Sequence, residues 1–236
     1  KEEPEGLAAR NIRHRLEAFH GHRSAGAVAA AWPYLADEDR FIRNAARVAI
    51  EFQPVPGWIA RAKAETRPQA VITATVALAR AGDSTRLNDA LAVLEKLDFT
   101  SLDDLKKLGY LRALALSCMR LGKPGHTTAQ KITDRLMTFL PDADERVNVE
   151  LVRLLIYFKE PRVIAKALDL VRHSKTPPPP DWGATVKRNN SYGGTIQHML
   201  DNPPPVNRLE YLFMLRDLKE GWTIDQRKTY FSMINE

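Results

Sequence analysis

Cysteine is almost absent from this sequence: Cys118 is the only one in 236 residues. A lone thiol excludes an internal disulfide, a thiolate metal cluster and a CxxCH haem attachment within the chain. Leu116, Met119 and Leu121 surround it in an apolar helical stretch, so a buried structural thiol is expected rather than a nucleophile. Long apolar runs are lacking too. None approaches the roughly 18 residues of a membrane span, and the opening KEEPEGLAAR has no apolar signal-peptide core. The chain starts without methionine, and its last helix stops at YFSMINE without a capping glycine. Both ends read as those of a piece of a longer protein, so a missing leader says nothing of the compartment.

A strong charge of one sign is also missing. The 35 Lys and Arg against 29 Asp and Glu leave a net charge of +6, and the two signs interleave, as in Arg208, Glu210, Arg216, Asp217, Lys219 and Glu220. Even the densest basic stretch, Arg10, Arg13, Arg15 and Arg23, lacks the interleaved aromatics of a nucleic-acid footprint and reads as a solvated helix face. Catalytic grammar is equally sparse. None of Ser24, Ser84, Ser101, Ser117, Ser174, Ser191 and Ser232 sits in a Gly-x-Ser-x-Gly elbow. His14 and His20 are six residues apart, on different helix faces, so no zinc site is expected, and His20 and His22 read as a helix-terminal pair meeting carbonyls. Asp37, Glu38 and Asp39 lack the glycine and later glutamate of a calcium loop. Gly193-Gly194 reads as a turn rather than a phosphate cradle. The expectation is no metal, no cofactor and no small-molecule substrate.

What is present is helical periodicity, repeated. Ile12, Leu16 and Phe19 share one face of a helix over 8–20, and an alanine-rich segment follows over 24–35 with Pro33 near its end. Asp37 then reads as a cap with Glu38 and Asp39 in the first turn. Phe41, Ile42, Ala45, Ala46, Val48, Ala49 and Phe52 form the apolar face behind it, opposite Arg40, Arg43, Asn44 and Arg47. Further helices are expected over 57–65, 68–81, 86–97, 102–121, 127–139, 144–158 and 161–172, with Gly, Pro or Asp in each connection. No period-2 alternation appears before residue 173, which makes the fold all-α. Ser174 to Pro180 reads SKTPPPP, an extended connector. Three shorter helices follow at 191–201, 205–219 and 223–235, with Thr223 capping the last. Trp32, Trp58, Trp182 and Trp222 are spaced like core or inter-repeat packing residues, with the alternative for Trp182 and Trp222 that they pin the segment after the connector back onto the helices.

The chain also echoes itself. Leu35-Ala36-Asp37-Glu38-Asp39 before FIRNAARVAIEF is matched by Leu140-Pro141-Asp142-Ala143-Asp144 before RVNVELVRLLIYF, with Ala81-Gly82-Asp83 at an equivalent place between them. A period of roughly 35–50 residues is that of two-helix repeats. A proline near the end of a first helix, an Asp-rich turn, then Ile-Arg and a small-residue apolar helix resembles the HEAT repeat. Pro33, Leu35, Asp37, Asp39, Ile42, Arg43, Ala46 and Ala49 carry that pattern, while the later copy has Asn148 in place of the arginine. The resemblance implies a right-handed HEAT-like α-solenoid of antiparallel helix pairs over 1–173, a proline-rich linker over 174–183 and a helical extension over 184–236. A second resemblance rests on LEAFHG at 16–21, Tyr192-Gly193, Pro203-Pro204-Pro205, Tyr211, Leu215-Arg216, Gly221-Trp222-Thr223, Arg227 and Tyr230-Phe231. These residues are similar to a segment of large bacterial secreted proteins, in which a helical region joins a β-propeller of membrane-bound dehydrogenase type to a C-terminal c-type cytochrome domain. That would imply an extracytoplasmic or periplasmic location. The haem motif is absent here, so no redox role passes to any residue.

The function expected is a non-catalytic scaffold that spaces or docks neighbouring domains or a partner protein. Second helices of solenoid repeats line the usual binding face, which singles out Arg40, Arg43, Asn44, Arg47, Arg153 and Lys159. The alternatives are a docking surface within a cytochrome–dehydrogenase protein, and a nucleic-acid-binding HEAT-like protein of glycosylase type.

Overall fold

Aspartates and prolines decide where the helices begin. Asp39 accepts a hydrogen bond from the Phe41 N–H at 2.7 Å, Asp103 from Lys106 N–H at 2.8 Å and Asp144 from Arg146 N–H at 2.8 Å. Each satisfies a donor that the first helical turn leaves without a partner. In the computed structural model, which describes residues 4–174, 190–201 and 206–235, the fold is all-α, with thirteen α-helices and no strand among the described residues. The chain divides into two units, Lys1–Lys131 and Ile132–Glu236. The division falls inside a helix, whereas the boundary read from the sequence lies at residue 173. The linker expected over 174–183, with Trp182, lies outside the described residues but for Ser174.

The first unit holds α1 (Pro4–Glu17), α2 (Ala27–Ala31), α3 (Arg40–Glu51), α4 (Ile59–Ala64), α5 (Pro68–Ala81), α6 (Leu87–Glu95), α7 (Asp104–Leu121) and the start of α8 (His126–Phe139). Alternate helices pack side by side, α1 on α3, α3 on α5, α5 on α7 and α4 on α6. The center is α5, where Val71, Ala74, Ala77 and Leu78 are fully buried. Its buried Thr75 hydroxyl donates back to the Val71 carbonyl at 2.8 Å, which removes the cost of burying it. Gly109 brings α7 close to α5: a Cβ there would lie 3.2 Å from the Ile72 side chain. Trp32 and Trp58 are buried core residues as expected. Their indole N–H groups donate to the Glu65 carboxylate at 2.8 Å and the Gln53 carbonyl at 3.2 Å.

The second unit holds the rest of α8, then α9 (Glu145–Tyr157), α10 (Val163–His173), α11 (Asn190–Asp201), α12 (Val206–Leu215) and α13 (Ile224–Asn235). α12 packs on α9 and α10, and α13 packs on α10. Leu151, Leu155, Val163, Ile164, Ala167, Tyr211 and Leu215 form its core. Thr223 caps α13 in a reciprocal box: its hydroxyl accepts from Gln226 N–H, and Gln226 Oε1 accepts from Thr223 N–H.

Four local expectations are corrected. The segment 24–35 is not one helix: Pro33 has no N–H to continue an α-ladder, and Trp32–Ala36 tightens into a 3₁₀ turn. The cap of α3 is Asp39, not Asp37. Gly193-Gly194 lies within α11 instead of making a turn before it. The helix begun near 205 stops at Leu215 rather than 219.

Candidate interaction surfaces

The six polar positions singled out in the sequence fall on two places, Arg40, Arg43, Asn44 and Arg47 on α3 and Arg153 and Lys159 at α9. Most are engaged within the chain. Arg43 Nη1 donates to the Asp37 carbonyl and, at 2.8 Å, to the Glu38 carbonyl. Arg47 pairs with Glu51 and donates to Asn44 Oδ1 at 2.7 Å, while Glu51 also takes Arg80 of α5 at 3.0 Å. Arg153 bridges Glu150 at 2.8 Å and Glu210 of α12 at 2.6 Å. Lys159 is a backbone feature: its φ of 58° ends α9, with Glu160 N–H donating to Leu155 O and Lys159 N–H to Ile156 O, each at 2.9 Å. Arg40 stays exposed over the Phe41 ring, 4.7 Å from its centroid.

The two acidic turns echoed in the sequence share one hydrogen-bond pattern. Asp37 Oδ1 accepts from Asp39 N–H, and Asp142 Oδ1 accepts from Asp144 N–H, each at 2.9 Å. Arg43 reaches the Asp37 carbonyl. Asn148, six residues after Asp142 just as Arg43 is six after Asp37, donates to the Asp142 carbonyl at 2.9 Å and accepts from Asp142 N–H at 2.7 Å. The asparagine that breaks the echo between the two turns therefore does the arginine's work.

Other cations close the ends of helices two places earlier in the chain. Lys96, the C-cap of α6, donates to the Lys63 and Glu65 carbonyls at the end of α4, at 2.6 and 2.8 Å. Arg120 of α7 reaches the Ala79 carbonyl of α5 at 3.0 Å. In the second unit, Lys166 of α10 reaches Met137 O at 3.2 Å and Leu140 O at the end of α8. Arg67 donates to the Pro33 carbonyl at 3.1 Å and to the Glu65 carboxylate at 2.9 Å. That guanidinium holds the Glu65 carboxyl at about 2, well below its ordinary value, against the opposing pull of burial. Positive charge at a helix C-terminus offsets the carbonyl end of the dipole.

The core nucleophiles and the two histidines after α1 are buried or engaged as well. Cys118 is buried, and desolvation pushes its thiol up to about 11. Ser117 donates to Ala113 O at 2.8 Å. His20 Nε2 meets the Ala45 carbonyl at 2.8 Å, and His22 Nδ1 lies 3.1 Å from His20 O. Tyr211 is wholly buried, and desolvation, reinforced by the Glu145 carboxylate, raises its phenol. No group of three or more His, Cys, Asp or Glu side chains among the described residues could hold a metal ion. No described helix is long and apolar enough to cross a membrane.

Sequence reasoning did not find two hollows of the second unit. One, of about 530 Å³, gathers Arg172, Arg208 and Lys228 with Thr229 and Ser232, although Arg208 also closes the end of α13 through Met233 O at 3.3 Å. The other, of about 450 Å³, lies where Leu215, Leu218 and Trp222 face Tyr230, Phe231 and Ile234. Its aromatic residues are visible in the sequence, but nothing in their spacing announces that they stay open to solvent. No protein-family model matches the chain, and comparison with curated proteins and with solved structures finds no match either.

Proposed function

We propose that this chain is a HEAT-like helical-repeat scaffold that docks neighbouring domains or a partner protein and carries out no chemistry itself. The observation that carries the reading is the n-to-n−2 reach of its cations: α6 to α4, α7 to α5 and α10 to α8. A single closed bundle does not require that interval to recur along the chain. A two-helix repeat does, because each helix lies beside its counterpart in the preceding pair. The matched turns at Asp37 and Asp142 support the same period. Employment of Arg43, Arg47 and Arg153 inside the chain turns the reading away from nucleic acid, since cations already satisfied by carbonyls and carboxylates have less to offer phosphates. A docking role within a redox protein is a special case of this proposal.

The test is a binding comparison on the full chain. Anisotropy with labelled single- and double-stranded oligonucleotides at low salt is expected to stay flat. Saturable binding that weakens steeply with added salt would move the function to nucleic acid.

A further inference from the structure

We propose that the groove between α12 and α13 docks an acidic amphipathic helix of a partner protein, a proposal that rests on the scaffold reading and names its partner's chemistry. The walls of the groove are fixed before anything binds. Trp222 Nε1 donates to Leu218 O at 2.7 Å, and Tyr230 Oη donates to Leu212 O at 3.1 Å. The two rings meet edge to face with centroids 5.3 Å apart. The turn that carries Trp222 is seated tightly: Gly221 has φ 81°, and a Cβ on it would fall 2.2 Å from Pro161 Cβ. A surface already held in shape loses little side-chain freedom when a ligand arrives. It is nonetheless open, with Phe231 61% and Ile234 51% exposed.

Charge decides the occupant. Arg216, Lys219 and Arg227 line the groove, and among the described residues no carboxylate does. Lys219 donates to the Arg216 carbonyl, and Arg216 meets its neighbour Asp217 at 3.8 Å and lies over the Phe213 ring, 5.7 Å from its centroid. An apolar floor rimmed by three cations complements a helix with bulky apolar residues on one face and carboxylates beside them. Length favours a peptide over a small molecule. Arg216 also borders an adjoining hollow where Val206, Leu209 and Phe213 follow one face of α12 at i, i+3 and i+7. Glu210 and Asp217 border that hollow, so the acidic end of the ligand belongs over α13 and its neutral or basic end over the start of α12.

The probe is a fluorescein-labelled synthetic amphipathic helix with Leu and Phe on one face and Glu on the other, titrated with the full chain. Its counterpart has Lys in place of every Glu. The glutamate peptide is expected to bind saturably, at least about tenfold more tightly than the lysine peptide. The triple exchange Arg216→Glu, Lys219→Glu and Arg227→Glu should reverse that preference. Phe231→Ser, a second surface change that leaves the charges in place, should weaken the glutamate peptide about tenfold. Equal binding of both peptides, or binding indifferent to these variants, overturns the proposal. So does saturation of the groove by 2-naphthoate alone with an affinity matching the peptide's, which would make it a small-molecule site. Silence with both peptides and with oligonucleotides removes the groove and leaves the scaffold. Oligonucleotide binding that the four substitutions do not alter removes the scaffold instead.

Discussion

The turn entering α3 and the turn entering α9 carry the same pair of aspartates, yet an arginine half open to solvent closes one and a buried asparagine closes the other. Asn148 is 3% exposed and satisfies both backbone groups of Asp142. Arg43 touches only carbonyls, those of Asp37 and Glu38. The difference teaches that the position requires a donor aimed at one carbonyl, six residues before it, rather than a charge. A residue that looks like part of a basic recognition surface can therefore be a closure whose charge is incidental.

The sharpest way to break the comparison is Asn148→Ala. It removes both partners of the part-buried Asp142 backbone and leaves a gap where the buried side chain sat, and the loss should be ~2 kcal/mol of unfolding free energy, read from urea melts. A third turn allows a similar test by proton. Glu65 in the folded chain sits at about 2 against an ordinary 4.5, so its contribution is complete above that ordinary value and is lost as pH falls toward 2. Between pH 5 and pH 2 this one group should remove ~2 kcal/mol, after discounting for the half-exposed Arg67, and Glu65→Gln should abolish that part of the acid sensitivity. Arg43→Ala should cost ~1 kcal/mol, and Arg43→Asn should restore most of it if the two turns are equivalent. An asparagine no better than alanine in thermal melts would mean that the turns only look alike. The smallest effect belongs to the other end of the helices. α3 runs out at Phe52 in a right-handed conformation, whereas α9 needs Lys159 at positive φ. Lys159→Gly should raise stability by ~0.5–1 kcal/mol, because glycine adopts that conformation without a Cβ clash.

The helical class and most helix positions were legible because amphipathic periodicity and aspartate caps are local signals. Much of the core was legible for the same reason: Ile42, Ala45, Ala46 and Ala49 are buried as their spacing implies, although Phe41 and Phe52 of the same expected face are exposed. What escaped depended on partners distant in the chain. The choice between Asp37 and Asp39 as the cap turns on backbone angles that either residue could support. Asn148 reads as a departure from the repeat until the carbonyl it meets is known. Arg43, Arg47 and Arg153 read as free because their acceptors, backbone carbonyls and side chains on other turns or helices, carry no mark in the sequence. The groove at Trp222 was missed because a row of aromatic and aliphatic residues looks the same whether a neighbour covers it or not.

The backward reach of Lys96, Arg120 and Lys166 gives the chain a direction in time. The carbonyls that these cations close belong to residues 33, 41 and 29 positions earlier. As the chain leaves the ribosome, the end of α4 stays open until Lys96 emerges, and the end of α5 until Arg120 does. These three helices are thus finished by residues made after them. Shortening the protein from its C-terminal side removes the cation that closes the helix two places back, whereas shortening it from the N-terminal side removes the carbonyls and leaves that cation without them.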